Sequence, residues 1–332
     1  MQMVSMTRIR FAIPKGSLEK DTFDILQRAG YMISGERRTY RPAVNDSDIE
    51  LKILRPQEIP LLVADGTNEI GITGQDWVYE TGVDVVTLLP LAYGGIKMVT
   101  AVPETWADVD SLTGLLRKFW DDGKNVRFST EYLNTASHYI MANGEYRERF
   151  GDAEPLVITP WLRRGTNPKV TITLSFGATE AKPPENAEAI IDVSETGTTL
   201  QQNNLKVIDI IKESEAVLIA NREALRERDR EEKIYDVLTL LRGVVEGKEK
   251  IHIFVNVEEK NLEELVKNLP SLKGPTISHL SRDGWYSVNT VIDRRDFLRI
   301  LPTLRRLAQG LVVHEPRQIL TLEGTNGRKL AQ

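Results

Sequence analysis

Residues suited to holding a phosphate group follow one short apolar segment. The run 189–200 reads Ala-Ile-Ile-Asp-Val-Ser-Glu-Thr-Gly-Thr-Thr-Leu, so a strand ends in an acid and continues into a loop of Thr and Gly. Gly197 lets the backbone approach an oxyanion closely, successive N–H groups can converge on it, and the threonine hydroxyls add donors. Asp192 and Glu195 have the wrong charge for phosphate but suit ribose hydroxyls or a hydrated Mg²⁺. Taken alone, an ordinary strand-to-helix turn with Thr caps explains the same run.

The segments that must position this loop alternate between strands and helices. In the first part of the chain, short apolar strands are predicted at 9–13, 51–54 and 70–73. Amphipathic helices that end at Gly or Asp-Gly separate them, which is typical of an α/β sheet with parallel strands.

A second α/β lobe is expected after a change of pattern around 103–122. Its strands are predicted at 126–130, 170–174 and 189–193. Two further short strands, 206–210 and 216–220, are expected to return to the first lobe, which would leave a cleft between the two lobes.

The last third of the chain has a pattern of its own. Asn221 can cap a strongly charged helix at 222–246, which we interpret as a solvated connector that docks at its C-terminal end. The segment 251–314 then follows the order β-α-β-β-α-β of a ferredoxin-like module. Such modules often sense ligands or mediate assembly, although fold alone does not establish this.

The composition excludes several classes of site. The chain has 332 residues, of which 41% are hydrophobic and 27% charged, and it contains no Cys. Thiolate metal sites, disulfides and a Cys nucleophile are therefore excluded, and the 4 His residues are scattered. A net charge of -5 gives no bias towards nucleic acid or an anionic membrane. The N-terminal sequence is not of signal-peptide type and no apolar run would span a membrane, so we expect a cytoplasmic enzyme.

Several segments, in order along the chain, resemble the ATP phosphoribosyltransferase family. Glu-Thr-Gly-Thr-Thr-Leu at 195–200 is similar to the loop with which that family binds phosphoribosyl pyrophosphate (PRPP). The other similar segments are Pro-Lys-Gly-Ser-Leu at 14–18, Arg-Pro-Gln-Glu-Ile-Pro at 55–60, Gly-Ile-Thr-Gly-Gln-Asp at 71–76, Arg-Phe-Ser-Thr-Glu-Tyr-Leu-Asn at 127–134 and Ser-Phe-Gly-Ala-Thr-Glu at 175–180. Ser17 replaces the usual Arg, Leu133 replaces Pro, and Phe176 resembles an insertion.

The resemblance implies roles for individual residues. The implied catalytic residues are Lys15, Arg55 and Asp192. The implied PRPP loop consists of Glu195, Thr196, Gly197, Thr198 and Thr199. Further contacts with ATP or PRPP are implied for Gly16, Asp76, Tyr132 and Glu180. Read singly, Lys15 could be a solvated loop residue, Arg55 could pair with Glu58, and Tyr132 could belong to the core.

The resemblance also implies the architecture. It predicts a two-lobed, periplasmic-binding-protein-like (type II) α/β catalytic core followed by a C-terminal ferredoxin-like (ACT-like) βαββαβ domain. The predicted boundaries are 1–105 for lobe I with 201–222 returning to it, 106–200 for lobe II, 223–247 for a linker helix, 248–322 for the regulatory domain and 323–332 for a tail. In the long form of the family the regulatory domain binds histidine, with contacts expected here at Thr276 and Ser278. Simple packing of a ferredoxin-like sheet would also account for these two residues.

The activity implied is attack by N1 of ATP on C1 of PRPP, which gives phosphoribosyl-ATP and pyrophosphate in the first step of histidine biosynthesis. Because N1 is unprotonated near neutral pH, alignment and charge neutralisation matter more than a strong base. Mg²⁺ is implied as a cofactor carried by both substrates, with no certain protein ligand. The implied partners are ATP, PRPP, histidine as feedback inhibitor, and further copies of the chain from dimer to hexamer, with no nucleic acid and no membrane.

Two other functions remain compatible with the sequence. A two-lobed α/β chain could be a catalytically silent nucleotide-binding or sensor protein of the periplasmic-binding fold, although a retained phosphate loop argues against silence. A phosphoribosyltransferase for another acceptor would share the loop. It would not share the Pro-Lys-Gly and C-terminal segments.

Overall fold

Strands and helices alternate as predicted in the computed structural model, which describes residues 8–35, 39–270 and 274–322. The predicted tail 323–332 lies outside the described residues. The strands are β1 (Ile9–Pro14), β2 (Ile33–Ser34), β3 (Ala43–Val44), β4 (Ile49–Leu54), β5 (Ile70–Gly74), β6 (Val86–Pro90), β7 (Ile96–Pro103), β8 (Val126–Thr130), β9 (Pro155–Ile158), β10 (Arg163–Arg164), β11 (Asn167–Leu174), β12 (Ala189–Ser194), β13 (Leu205–Ser214), β14 (Ala216–Ala220), β15 (Lys250–Glu258), β16 (Thr276–His279), β17 (Trp285–Asp293) and β18 (Ala308–His314). The α-helices are α1 (Glu19–Ala29), α2 (Ile59–Ala64), α3 (Gln75–Thr81), α4 (Leu112–Trp120), α5 (Leu133–Ala142), α6 (Gly144–Phe150), α7 (Thr198–Gln202), α8 (Arg228–Lys248), α9 (Glu259–Asn268) and α10 (Arg294–Leu307).

Five strands form the first sheet, in the order β4-β1-β5-β14-β6. β1 and β5 are parallel, whereas β14 runs antiparallel between β5 and β6. Every residue of β5 and of β14 is buried, as expected for strands covered on both faces. Ile59 and Val63 of α2 pack against Val217 and Ile219 of β14, which fixes the helix over the sheet.

Seven strands form the second sheet, in the order β10-β9-β11-β8-β12-β7-β13. The four neighbours β9, β11, β8 and β12 are mutually parallel, so their carboxyl ends lie along one edge of the sheet. Phe128, Tyr146 and Ile172 are fully buried in the core beside this sheet, with helices α4 to α6 contributing to the same core. The carboxyl ends of these parallel strands are therefore supported by a well-packed core.

The chain crosses between the two sheets at two points. The first crossing lies between β6 and β7, and the second lies at Glu215 between β13 and β14. This two-sheet plan confirms the predicted two-lobed, type II core. The segment 201–222 does not return to the first lobe as a whole, because β13 pairs with β7 from Leu205 opposite Pro103 to Ser214 opposite Ile96. Only β14 joins the five-stranded sheet. The predicted end of lobe I at 105 is also too late, because β7 belongs to the seven-stranded sheet and the first crossing therefore precedes Ile96. The linker boundary stays a prediction.

The described residues divide into two compact units, one made of 10–19 and 53–223 and the other of 8–9, 20–35, 39–52, 224–270 and 274–322. The second unit contains a four-stranded antiparallel sheet in the order β16-β17-β15-β18, with α9 and α10 packed on it. This arrangement confirms the predicted ferredoxin-like βαββαβ domain. Its core is formed by alternate residues of β15, all fully or almost fully buried: Ile251, Ile253, Val255 and Val257.

The charged helix that precedes this domain starts later than predicted. Ala224–Arg226 form a 3-10 turn, and α8 begins at Arg228. Lys233 in its charged half forms ion pairs with Asp46 at 2.7 Å and Asp48 at 3.6 Å, so this half is anchored as well as the apolar end. Among the described residues, no helix is both long enough and apolar enough to cross a bilayer.

Candidate active site

Four loops meet at the edge where the parallel strands of the seven-stranded sheet end. They follow β9, β11, β8 and β12 and comprise 159–162, 175–181, 131–132 and 195–197. Ligands of open α/β sheets bind outside the carboxyl ends of the strands, because loops and helix N-termini converge there. The predicted residues Tyr132 and Glu180 and the predicted PRPP loop all follow strands that end on this edge.

Tyr132 connects this edge to the five-stranded sheet. Its side chain is 3% exposed, stacks on Trp77 with ring centroids 4.5 Å apart, and donates from its hydroxyl to Asp76 Oδ2 at 2.7 Å. The other oxygen of Asp76 accepts from Ser214 Oγ at 2.8 Å, and Ser214 Oγ accepts from the Asp76 amide at 2.9 Å. Burial, and after it the Asp76 carboxylate, raises the pKa of Tyr132 far above its usual value, so the phenol remains a donor.

A second link between the two sheets lies one helical turn further along α3. Glu80 accepts from the amides of Asn134 at 2.8 Å and Thr135 at 2.9 Å, and from the Thr135 hydroxyl at 2.8 Å. These amides belong to the first turn of α5, so Glu80 caps a helix of the other sheet. Burial raises the pKa of Glu80 despite these hydrogen bonds. Asp76 and Glu80 together fix the segment that carries Tyr132.

Asp192 lies among other acids at the end of β12. Its carboxylate accepts from the Val193 amide at 2.7 Å and from Thr179. Burial is the main reason that the pKa of Asp192 rises to about 6, and the charges of Glu180 and Glu131 add to the rise. Such a group changes charge near physiological pH, which suits hydrogen bonding to a sugar or response to a bound cation.

The loop 195–199 after β12, which we call the cradle, is the segment predicted to hold a phosphate group. Gly197 has φ +79 and begins α7, and a β-carbon there would meet nothing within 4 Å, so the need for Gly is conformational. The Gly197 amide donates to Ser194 Oγ at 2.9 Å, and the Thr196 and Thr198 hydroxyls lie 2.9 Å apart. Thr196, Thr198 and Thr199 are exposed. The threonine hydroxyls are thus held together on an accessible surface, whereas the Gly197 amide is paired with Ser194 within the loop.

Two predicted cations are carried by neighbouring segments of the five-stranded sheet. The Lys15 amide donates to the Leu54 carbonyl at 2.7 Å, which sets the loop after β1 beside the end of β4. Gly16 has φ +96, and a β-carbon there would lie 3.9 Å from Arg55 Nη1. Lys15, Gly16 and Arg55 therefore form one cluster at the carboxyl ends of parallel strands.

An open cleft of about 440 Å³ lies beside the two crossings. Glu195 contributes from the cradle, Lys97 and Glu213 from the two long strands, and Ser214 from the crossing itself. The Glu215 side chain accepts from the Ala92 amide at 3.0 Å and its carbonyl from the Gln75 amide at 2.9 Å, so both crossings and α3 are joined. The cleft wall is consequently continuous with the Asp76–Ser214 contact.

The predicted residues fall into three groups. Asp76, Tyr132, Glu180 and Asp192 are linked by hydrogen bonds or by mutual electrostatic effects, and the loop 195–199 begins three residues after Asp192. Lys15, Gly16 and Arg55 form the second group. Thr276 and Ser278 are exposed on β16, opposite Asn289 and Ser287, and belong to the other compact unit.

Sequence reasoning did not single out several residues of the site. Ser214 binds Asp76, and Glu80 binds the start of α5. Glu131 has its pKa raised by burial and accepts a hydrogen bond from Gln57, two positions after Arg55. Gln57 and Glu131 lie inside the similar segments 55–60 and 127–134, which is the only signal that pointed to them. No sequence signal pointed to Ser214.

Comparisons with known proteins show the family to which the chain is related. The HisG family model, described as ATP phosphoribosyltransferase, matches residues 55–243, and the model of the HisG C-terminal domain matches 247–315. An ATP phosphoribosyltransferase of Solibacter usitatus is 34% identical over 321 residues, 95% of this chain and 99% of the relative. One from Thermodesulfovibrio yellowstonii is 33% identical over 318 residues, 94% of this chain and 98% of the relative.

A solved structure supports the fold. The ATP phosphoribosyl transferase (HisG:HisZ) complex from Thermotoga maritima contains a chain with a TM-score of 0.53 and 23% identity, and the match covers 72% of this chain and 98% of that one. At this identity the likeness concerns the fold alone. Together with the two family models and the full-length relatives, it leads to one conclusion: the chain belongs to the ATP phosphoribosyltransferase family, the pentosyltransferases of the first step of histidine biosynthesis.

Proposed function

We propose that this chain joins N1 of ATP to C1 of PRPP at the edge of the seven-stranded sheet. The observation that carries the proposal is the continuity from the cradle 195–199 through Asp192 to the Tyr132–Asp76 contact. Three features are then adjacent. They are a loop that can bind an anion, an acid whose charge can change, and a hydrogen bond that holds the two sheets together. These are the elements that alignment of two anionic substrates requires.

In the proposed arrangement, the 5-phosphate of PRPP accepts from the amides and hydroxyls of 195–199. Asp192 faces the ribose hydroxyls, and Glu180 lies on the same side of the sugar. Lys15 and Arg55 neutralise the departing pyrophosphate from the opposite wall, with Asp76 and Tyr132 framing the reacting sugar and base. The bond from C1 to pyrophosphate breaks as the bond to N1 forms, and the sugar develops oxocarbenium character.

We propose that Mg²⁺ arrives on the phosphates of the substrates. Among the described residues, no three His, Cys, Asp or Glu side chains are grouped so as to hold a metal ion. Mg²⁺ keeps several waters and is commonly bound through substrate phosphates with one or two carboxylates. Asp192 and Glu180 are the carboxylates that would meet its hydration shell, and the ion would neutralise charge on the leaving pyrophosphate.

We further propose that the C-terminal domain senses histidine through Thr276 and Ser278. The match of the HisG C-terminal domain model to 247–315 supports this role, as do the exposed hydroxyl-bearing side chains on β16. An effector bound there would act through assembly of several copies, from dimer to hexamer, in the cytoplasm. The variants Thr276→Ala and Ser278→Ala are expected to keep activity and lose inhibition by histidine.

The deciding experiment follows the ultraviolet absorbance of phosphoribosyl-ATP in mixtures of protein, ATP, PRPP and Mg²⁺, with and without histidine. Product that histidine suppresses supports both the catalytic and the regulatory proposal. Product that is indifferent to histidine retains the enzyme and rejects the sensor role. Absence of product while ATP still binds would favour the silent nucleotide-binding protein. Arg55→Ala serves as the inactive reference because its charge is proposed to neutralise pyrophosphate.

A further inference from the structure

Two large aromatic side chains project into solvent beside the candidate site. Trp161 and Phe176 are each 73% exposed, and their ring centroids lie 6.1 Å apart at an interplanar angle of 53°. Leu162, half exposed, extends the same apolar surface. Aromatic side chains grouped in water contribute little to the folded core, and such groups mark surfaces that bind a partner.

The position of this pair follows from the order of the parallel strands. Trp161 follows β9 and Phe176 follows β11, so both lie on the edge that also carries the cradle after β12. Adjacent strands are about 4.8 Å apart, and β11 and β9 are two and three strands away from β12. The aromatic pair is therefore roughly 10–14 Å along the edge from the cradle. A ribose with its C1 substituent spans this gap.

The segment that carries Phe176 is tied to the sugar side of the site. Ser175 Oγ donates to the Gly177 carbonyl at 3.1 Å, and the hydroxyls of Thr179 and Ser175 lie 3.3 Å apart. Thr179 in turn donates to Asp192. Gly177 has φ +97, a backbone conformation that glycine adopts without strain. The exposed Phe176 therefore lies on a segment anchored at Asp192.

Positive charge lies beside the rings. Arg163 and Arg164 follow Trp161 and Leu162 directly, and both are exposed. Arg164 donates to Asn134 Oδ1 in the first turn of α5, two residues after Tyr132. The hairpin formed by β9 and β10 is therefore bound to α5, the helix whose N-terminus Glu80 caps. An exposed aromatic surface with guanidinium groups next to it in the chain is complementary to a purine base that carries phosphates.

We propose that Trp161 and Phe176 form the surface on which the adenine of ATP stacks, with Arg163 beside its phosphates. This proposal rests on the activity proposed above, because N1 must reach the C1 of a PRPP held by the cradle. A base lying over the carboxyl end of β11 satisfies that requirement, since the sugar then lies between the base and 195–199. PRPP itself has no aromatic ring to stack, so the surface distinguishes the two substrates.

The test compares Trp161→Ala, Phe176→Ala and the double variant with Ile210→Ala. Ile210 is 56% exposed on β13, at the opposite end of the same sheet, and provides the matched loss of an exposed apolar side chain. Loss of base stacking is expected to raise KM for ATP about tenfold or more in the double variant, while KM for PRPP stays within about twofold. Ile210→Ala should resemble the wild type in both constants.

A binding measurement keeps the proposal independent of turnover. ATP without PRPP is titrated into the wild type and into Trp161→Phe, and tryptophan emission is recorded. Quenching in the wild type that Trp161→Phe loses supports the stacking surface, even if the protein forms no product. Turnover without such quenching, together with an unchanged KM for ATP in the double variant, overturns it. A changed sedimentation coefficient with unchanged ATP binding also overturns it, since the pair would then join copies of the chain.

Discussion

The hydroxyl of Tyr132 donates a 2.7 Å hydrogen bond to the carboxylate of Asp76, and this bond joins the two sheets at the candidate site. Asp76 lies in the first turn of α3 beside the five-stranded sheet, whereas Tyr132 follows β8 of the seven-stranded sheet. Ser214, the last residue before the second crossing, holds the other Asp76 oxygen. One buried carboxylate therefore fixes a loop of the site and the crossing segment in a single arrangement.

Tyr132→Phe tests this joint. Removing the hydroxyl leaves one oxygen of the buried Asp76 without its donor, so we expect the free energy of unfolding to fall by about 1–3 kcal/mol. We also expect kcat/KM to fall, because the two walls lose their fixed distance. Urea unfolding and product formation measure the two effects.

Tyr139→Phe is the control for that change. Tyr139 donates to Asp209 Oδ2 at 2.6 Å, but both residues belong to the seven-stranded sheet and its helices. The Tyr139→Phe variant should lose a comparable free energy of unfolding and keep its activity. Equal losses of activity in the two variants would show that the Tyr132–Asp76 bond has no particular role in the site.

Gly197→Ala probes the backbone of the cradle. An L-residue at φ +79 costs roughly 1–2 kcal/mol, while the added methyl group meets no atom within 4 Å. We expect the loop to change conformation and KM for PRPP to rise, with ATP binding preserved. Gly144→Ala is the matched control, because its β-carbon also enters open space and its φ is not positive. The idea fails if PRPP binds equally well to both variants.

Asp192→Asn should change the dependence of stability on pH. The folded state raises the pKa of this carboxyl from 3.8 to about 6, chiefly through burial, so the folded chain binds the proton more tightly than the unfolded chain. Ionisation therefore costs stability, and the cost grows as pH rises from about 4 to about 6 and persists above. The variant should be more stable than the wild type by about 1–3 kcal/mol at neutral pH and no more stable near pH 4. Thermal unfolding across this range checks it, and a constant difference at every pH would contradict it.

Activity should depend on the same ionisation. If the Asp192 carboxylate accepts from the ribose hydroxyls, kcat/KM for PRPP falls as pH decreases through about 6. We expect Asp192→Asn to show a low and flat profile over this range. A profile in the variant that keeps the wild-type shape would assign the ionisation to another group, with Glu131 as the nearest candidate because burial raises its pKa as well.

The succession of strands and helices along the chain and the turn at Gly197 could be predicted because their signals are local. Alternating apolar residues mark β15, and one Gly after an acid-ended strand marks the turn at Gly197. The cluster around Asp76 has no local signal, since Ser214 lies 138 positions away and Tyr132 lies 56 positions away. The prediction that the whole segment 201–222 returns to the first lobe is wrong for the same reason. The position of the second crossing depends on how far β13 pairs with β7, which the composition of either strand does not reveal.

The position of β14 in the sheet determines the order in which the two sheets can be completed during synthesis. This strand lies between β5 and β6 in the five-stranded sheet, yet it is synthesised only after every strand of the seven-stranded sheet. Until residues 216–220 emerge, β5 and β6 each present an unpaired edge where β14 belongs. The first lobe to be synthesised is therefore the last to be completed, and the nascent chain must keep that gap free of other strands until its own arrives.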